Sequence, residues 1–359
     1  MTSGDIALLR LANQQIAASQ CREPAEVVAS LGAMQAQDYL GTLWAIGLRL
    51  PAAREAEIER AIADRTIIRT WPLRSTLHFV AAADAHWLLE FLGPRIVAAA
   101  GLRHEQYGLD ETVLTRIRKA LVKALQGNQQ LTRHEIYTLL KGARISVEGQ
   151  RGYHILWRMG VDRVICFGPR RGKQQTFTLL EEWAPKARKL EKDAALAELT
   201  LRYFKGHGPA TLQDFVWWSG LKISDAKAGL AMASSQLESL TVNDQPYWMH
   251  PGMPRLGKRT PIVNLLPGFD EYLLGYRDRT AALDPLHAQK IQPGSNGMFS
   301  STIVVNGKVA GTWRRVLAKK SVKIETNLFM SLTNGETRVL EEAIRRYCAF
   351  LGVERDSRQ

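Results

Sequence analysis

The chain has 359 residues, 45% of them hydrophobic and 23% charged, which fits two or three compact globular units and excludes a disordered or membrane-embedded chain. Its 48 lysines and arginines against 35 acidic residues leave a formal charge of +13, which favours a polyanionic partner, nucleic acid before anionic lipid. Cys21, Cys166 and Cys348 are odd in number and lack paired spacing, which excludes a disulfide framework or a zinc ribbon and fits reduced thiols.

A first helix is expected over residues 5–18, with Ile6, Leu8, Leu9, Leu11 and Ile16 as its buried stripe. A second, over 24–34, opens on Pro24 and carries Val27, Val28 and Leu31 at helical spacing, with Gly32 weakening its end. Residues 43–48 read as a short apolar segment and 54–64 as a helix. Residues 66–71 and 76–80 are β-branched and aromatic around Pro72, which predicts a hairpin. Helix, helix, helix, hairpin is the winged-helix order.

The order recurs. Asp110 caps a helix to residue 125, Thr132 caps another to 140, residues 149–159 form a third, and 163–167 with 176–180 make a hairpin. Helices over 193–204, 211–219 and 224–234, then short strands at 237–242 and 247–249, make a third copy. A linker is expected at 251–254. Beyond it, 261–266, 272–275, 300–305, 308–315 and 319–326 read as strands, with Asn306-Gly307 as a hairpin turn, 284–299 as a long loop and 334–350 as a closing amphipathic helix. The expected fold class is α+β, with three tandem winged-helix modules followed by a small C-terminal antiparallel β-sheet or barrel and its closing helix. The modules cover residues 1–105, 106–185 and 186–250, and the β-rich domain 251–359.

Gln35-Ala36-Gln37 stands out just after the second helix. Two glutamines at this spacing point to opposite sides of a helix but to one side of an extended segment, so a shared task requires that the helix has ended. Neutral amides beside a basic, Trp-containing hairpin suit a site that holds water against nucleic acid. They suit a metal or nucleophile site poorly.

Three stretches together carry a resemblance: Gln35-Ala36-Gln37, the run Arg69-Thr70-Trp71-Pro72-Leu73-Arg74-Ser75-Thr76-Leu77-His78, and the run Leu265-Leu266-Pro267-Gly268-Phe269-Asp270-Glu271-Tyr272-Leu273-Leu274-Gly275-Tyr276-Arg277-Asp278-Arg279. In this order, over nearly the whole chain, they resemble the AlkZ-like family of bacterial winged-helix DNA glycosylases. Gln-x-Gln alone is not specific; the long run is. The resemblance implies three winged helices and a β-rich end, excision of N7-alkylated purines, and unhooking of DNA interstrand crosslinks. A related branch replaces the second glutamine with an acidic residue, and Gln37 places this chain in the Gln-x-Gln branch.

On that resemblance Gln35 and Gln37 are the catalytic candidates, although glutamines near a helix end commonly just face water. The chemistry tolerates an amide. Alkylation at N7 leaves the purine cationic, so the base departs neutral without a strong general acid, and oriented dipoles position water and stabilise an oxocarbenium-like sugar. A glutamine does not titrate near neutrality, so it orients water and does not act as a conventional base. Asp38, next in sequence, either supports the developing positive charge or is a turn residue, the reading favoured here, and Tyr39 joins it as site lining. Asp270 and Glu271 form the runner-up carboxylate pair, in an apolar segment that also reads as β-core.

Arg69, Trp71, Arg74 and His78 are candidates for phosphate contact and base stacking, against a reading in which Trp71 is core and the arginines face solvent. Arg170, Arg171 and Lys173 share one hairpin tip with no adjacent acid in sequence, and Arg314, Arg315, Lys319, Lys320 and Lys323 form another basic stretch. No histidine shows metal-ligand spacing, and neither a phosphate-binding glycine loop nor a nucleophile elbow is present. No metal and no cofactor are therefore expected. The partner expected is double-stranded DNA with alkylated or crosslinked purines, bound by a monomer. The chain lacks a leader pattern and a run of roughly 20 apolar residues, so no membrane is expected and cytoplasmic, nucleoid-associated location is. A monofunctional DNA glycosylase competes with a non-catalytic winged-helix DNA binder or transcription regulator, since fold alone does not decide function.

Overall fold

The computed structural model of the protein describes residues 2–252, 260–295, 297–318 and 321–356, and the chain divides into two compact units. One comprises Met1–Ile58 with Leu196–Gln359, the other Glu59–Ala195. The secondary structure is mixed helix and strand, in agreement with the α+β class.

In the first unit the helix Ser3–Asn13 starts in a capping box between Thr2 and Asp5. It stops at Asn13, short of the expected residue 18, where Gln15 takes a left-handed conformation (φ 61°). The helix Pro24–Leu31 carries Pro24 in its first turn and ends at Gly32, whose φ of 76° a side chain would resist. A two-residue strand, Met34–Gln35, comes next, and Asp38 then caps the helix Tyr39–Gly47 through the Gly41 N–H. The apolar segment at 43–48 is therefore the body of a helix, buried on nearly every face.

Later in this unit come Leu212–Ser219, Ile223–Ala233 and the hairpin Glu238–Val242 with Gln245–Met249. A five-stranded sheet ends the chain, its strands ordered Glu354–Arg355, Ser321–Leu328, Lys308–Leu317, Thr302–Val305, Val263–Leu266. Its pairings are antiparallel except that of Ser321–Leu328 with Glu354–Arg355, which is parallel. Asn306 and Gly307, both at positive φ, make the expected hairpin turn. The closing helix Asn334–Leu351, with Leu340, Ile344 and Tyr347 among its buried residues, packs against Val263–Leu266. Trp44 joins this core: its ring lies 4.9 Å from Tyr347 and 5.1 Å from Phe350, and its Nε1 donates to the Leu265 carbonyl at 2.7 Å.

One expected strand is a helix. Residues 272–275 lie in the turn Glu271–Leu274, which Asp270 caps by accepting from the Tyr272 N–H at 2.9 Å. A short apolar run is ambiguous by periodicity, and here the N-terminal carboxylate settled it. The loop expected at 284–299 contains the helical turns Pro285–His287 and Ala288–Ile291. Met253 and Pro254 of the expected linker lie outside the described residues.

In the second unit the strands run in the order Thr76–Ala81, Ile67–Leu73, Ile165–Arg171, Gln174–Leu179, Leu131–Thr132. The two hairpins meet at an Arg69–Phe167 pairing. Pro72, which has no N–H for a ladder, sits where the register shifts between Thr70 and Leu73. Helices Ala85–Ala99, Gly101–Gln106, Glu111–Leu125, Arg133–Gly142 and Arg151–Val161 complete the unit, all but the second packed on the sheet. The first two had no counterpart in the sequence reading; Pro94 lies inside Ala85–Ala99 and breaks the pattern by which a helix is recognised. Trp71 lies over Gly160, where an added Cβ would come within 2.3 Å of the indole.

Candidate active site

Gln35 is held by its backbone on both sides. Its N–H donates to Glu271 Oε1 at 2.9 Å, and its carbonyl accepts from Thr42 Oγ1 at 2.9 Å. Thr42 Oγ1 also lies 2.7 Å from the Asp38 carbonyl, so one hydroxyl proton is shared between the strand residue and the first turn of the next helix. The Gln35 side chain is 9% exposed, and its Oε1 has no hydrogen-bond partner among the described residues. Buried polar atoms are paired in the great majority of cases, so an open acceptor on a clamped residue is suited to a ligand or water. Gln37, two residues on, is exposed in the bend before the helix. Asp38 is exposed and Tyr39 half-buried; the Asp38 carboxylate is engaged as the helix cap, consistent with the turn reading.

Glu271 is 2% exposed and accepts from the Gln35 N–H. Besides Gln35 N–H, it meets Trp218 Nε1 at 3.1 Å and His207 Nε2 at 3.3 Å. These contacts compensate a buried carboxyl group and leave it to position the Gln35 backbone. Asp270 is 4% exposed and forms a two-pronged pair with Arg49, Nη1–Oδ2 2.9 Å and Nη2–Oδ1 2.8 Å. The remaining Arg49 donors reach the Gln14 carbonyl, the Ala45 carbonyl and Gln14 Oε1, so all five N–H groups of a fully buried guanidinium are used. Gln14 in turn donates to the Glu271 carbonyl and to the Tyr276 hydroxyl, which donates to the His207 carbonyl at 2.6 Å. Burial raises the Tyr203, Tyr272 and Tyr276 hydroxyls well above their ordinary range, which keeps them protonated donors at neutral pH. The runner-up carboxylates are thus a framework beneath Gln35, each engaged by partners of its own.

The hairpin candidates divide. Trp71 is 2% exposed and stands in the core of the second unit, 5.0 Å from Phe167; the core reading holds, and stacking of this ring on an exposed surface base is corrected. His78 is fully buried with Nδ1 3.0 Å from the Thr76 carbonyl, which likewise removes it from an open DNA-facing surface. Both sit in strands covered on two faces, a burial that strand alternation alone does not reveal. Arg69 is 6% exposed, its guanidinium 4.8 Å from the Phe167 ring, so it is not a solvent-facing arginine. Arg74 is half-buried at the hairpin turn with φ 49°.

At the second tip two of the three cations meet acids distant in sequence. Arg170 pairs with Glu59, and Arg171 pairs with Glu135 at 2.7 Å and donates to the Gln130 carbonyl. The acids are distant in sequence and invisible to a local search. Lys173 is exposed. Arg314 pairs with its cross-strand neighbour Glu325, which also meets Lys323 at 3.4 Å, and Arg315 donates to the Tyr347 hydroxyl. Lys319 and Lys320 lie outside the described residues.

Gln14, Thr42, Arg49, His207 and Trp218 are the members of the site that the sequence reading missed. Arg49 and Asp270 are 221 positions apart, and no spacing rule joins them. Among the described residues no group of three or more His, Cys, Asp or Glu is arranged to hold a metal ion. No helix is long and apolar enough to cross a membrane among those residues. All three cysteines are free and buried.

A family described as DNA glycosylase AlkZ-like matches residues 28–350 of the chain. A relative from Streptomyces sahachiroi, named interstrand DNA cross-link repair glycosylase, is 28% identical over 316 residues, 81% of this chain and 82% of the relative. The solved structure of Streptomyces sahachiroi DNA glycosylase AlkZ superposes with a TM-score of 0.78 at 21% identity, covering 99% of this chain and 98% of that one, a likeness of fold.

Proposed function

This chain belongs to the AlkZ-like family of DNA glycosylases, and on that footing we propose that it hydrolyses the N-glycosidic bond of N7-alkylated purines and unhooks DNA interstrand crosslinks by water attack. The relative from Streptomyces sahachiroi is named for interstrand cross-link repair, which supports the crosslink part of the reading. The observation that carries the mechanism is the buried, unpartnered Oε1 of Gln35 on a backbone clamped by Glu271 and Thr42.

A cationic N7-alkyl purine leaves as a neutral base, so the protein needs to supply orientation and dipoles more than a proton. Gln35 Oε1 accepts a hydrogen bond from the attacking water, and the Gln37 amide, exposed two residues later, meets the sugar or the same water. A fixed amide oxygen gains this role only if its backbone cannot drift, and the Glu271 contact supplies that restraint. Asp38 and Tyr39 line the approach. The product is an abasic site, since no residue of this set forms a covalent bond to the sugar.

The three helix–hairpin repeats act as winged-helix modules over 1–105, 106–185 and 186–250, and the sheet with its closing helix as the C-terminal domain over 251–359. Phosphate contacts come from Arg170, Arg171, Lys173 and the basic stretch including Arg314 and Arg315, and the protein works on double-stranded DNA as a monomer. The test is incubation with labelled duplexes carrying N7-methylguanine or a bis-N7-guanine crosslink, followed by alkali. Strand scission that requires alkali supports the reading. Duplexes that bind but stay uncut after alkali would leave a non-catalytic DNA binder.

A further inference from the structure

A cavity of about 510 Å³ opens within the second unit, inside the range of roughly 300–1,000 Å³ that small-ligand sites occupy. Its walls include the rings of Trp71, Phe167 and Phe177, all at most 7% exposed, and that of Tyr153, 43% exposed. Among these rings that of Tyr153 offers the accessible face for a planar ligand. Two polar atoms of lining residues are buried without partners among the described residues, the Trp71 Nε1 donor and the Gln175 Oε1 acceptor. A donor and an acceptor left unpaired on lining residues of one cavity are groups that the polar edge of a ligand would satisfy.

The charge of the lining narrows the ligand further. Arg133 and Lys173 line the cavity and are exposed, and its lining includes no carboxylate among the described residues. Aromatic walls, an open donor and acceptor, and cations together match a base with its phosphate. An apolar peptide would use the rings and leave the cations idle, and a bare phosphate would leave the rings idle.

We propose that this cavity takes one unstacked nucleobase of a DNA strand, its face on the Tyr153 ring, its edge toward Gln175, and its phosphate on Arg133 and Lys173. The inference rests on the reading that the protein engages DNA, and not on the excision chemistry at Gln35. All of the residues it uses belong to Glu59–Ala195, and none belongs to the Gln35 framework.

The test uses the full-length protein and a single-stranded pentanucleotide with 2-aminopurine at its centre. Binding is expected to quench the 2-aminopurine, and Tyr153→Ala and Gln175→Leu are each expected to weaken binding by about tenfold, the scale of a lost base contact. Neither change removes a core side chain, and an unaltered melting transition confirms that the fold is retained. Both variants are expected to release N7-methylguanine from a duplex at the wild-type rate under saturating enzyme, while Gln35→Ala keeps the quenching. Quenching and affinity unchanged in both variants would overturn the proposal, as would binding without quenching, which signifies phosphate contact alone. Equal affinity for free dAMP would overturn the assignment to a DNA strand. Quenching lost in the variants of a protein that excises no base would uphold the pocket and sink the glycosylase mechanism, so the two readings fail separately.

Discussion

Around Gln35 the charges are inside: Arg49 and Asp270 have side chains 0% and 2% exposed and share a guanidinium with no donor to spare. At the second hairpin of the other unit the pairing is outside, with Arg171 and Glu135 at 55% and 40% exposure. The chemistry of the two pairs is the same, and the dielectric around them differs. A buried pair cannot be opened without stranding a charge, so it defines geometry; an exposed pair contributes about 0–1 kcal/mol and can be exchanged for a phosphate at little cost. The first arrangement suits a site that must hold an amide in place. The second suits a surface that must take up and release a polyanion.

The largest expected effect tests the buried side. Asp270→Ala leaves Arg49 uncompensated and should destabilise the protein by about 3–5 kcal/mol in denaturant titrations, whereas Arg171→Ala should cost under about 1 kcal/mol. Equal costs would erase the contrast. Next, Gln35→Ala removes no charge and breaks neither backbone bond of the clamp, so the fold should persist while base release slows by about ten- to a thousandfold and duplex affinity changes little. Single-turnover rates, corrected for spontaneous loss of the cationic base, check this, and a wild-type rate in both Gln35→Ala and Gln37→Ala would remove the water-positioning role.

On the exposed side, neutralising Arg170, Arg171 and Lys173 together should lower affinity for all duplexes and flatten the salt dependence by up to about 0.9 log unit per lost phosphate contact. An unchanged slope would take this tip out of the DNA interface. The smallest effect concerns pH. Burial, the leading cause in each case, lowers the basicity of His86, His104 and His154, with Arg158 adding to it at His104 and Arg103 at His154; all three histidines lie in the second unit. Their neutral forms are favoured by the fold, so the unfolded chain binds more protons below its ordinary histidine value of about 6.5, and stability rises with pH through that window. It should be complete above about pH 6.5 and fall as the solution is acidified toward the lowered folded values. Thermal melts that do not shift between pH 7.5 and pH 5.5 would contradict this.

The helices at Pro24–Leu31, Glu111–Leu125, Arg133–Gly142 and Asn334–Leu351 were legible because caps and apolar spacing agree along a few turns. Both hairpins of the second unit and the Asn306-Gly307 turn were legible for the same local reason. Residues 272–275 were misread because four apolar residues have no measurable period, and Ala85–Ala99 was missed because its proline interrupts a pattern that packing restores. The family was readable from short runs, whereas Asp38 was read as a turn residue and the helix that it caps as a short apolar segment.

What the amino-acid order determined by itself is therefore local: where helices begin, where chains turn, which polar residues stand at an interruption, and a charge balance that favours nucleic acid. What only the tertiary structure decided is which of those polar residues meet. Glu271 reaches the Gln35 backbone across 236 positions and Arg49 reaches Asp270 across 221, while Arg170 and Arg171 find acids at Glu59 and Glu135 that no neighbouring sequence supplies. The physical reason is that a buried charge or amide must find its partner wherever the chain happens to pass, and that partner is selected by three-dimensional proximity in a low dielectric, a quantity that periodicity and spacing do not encode.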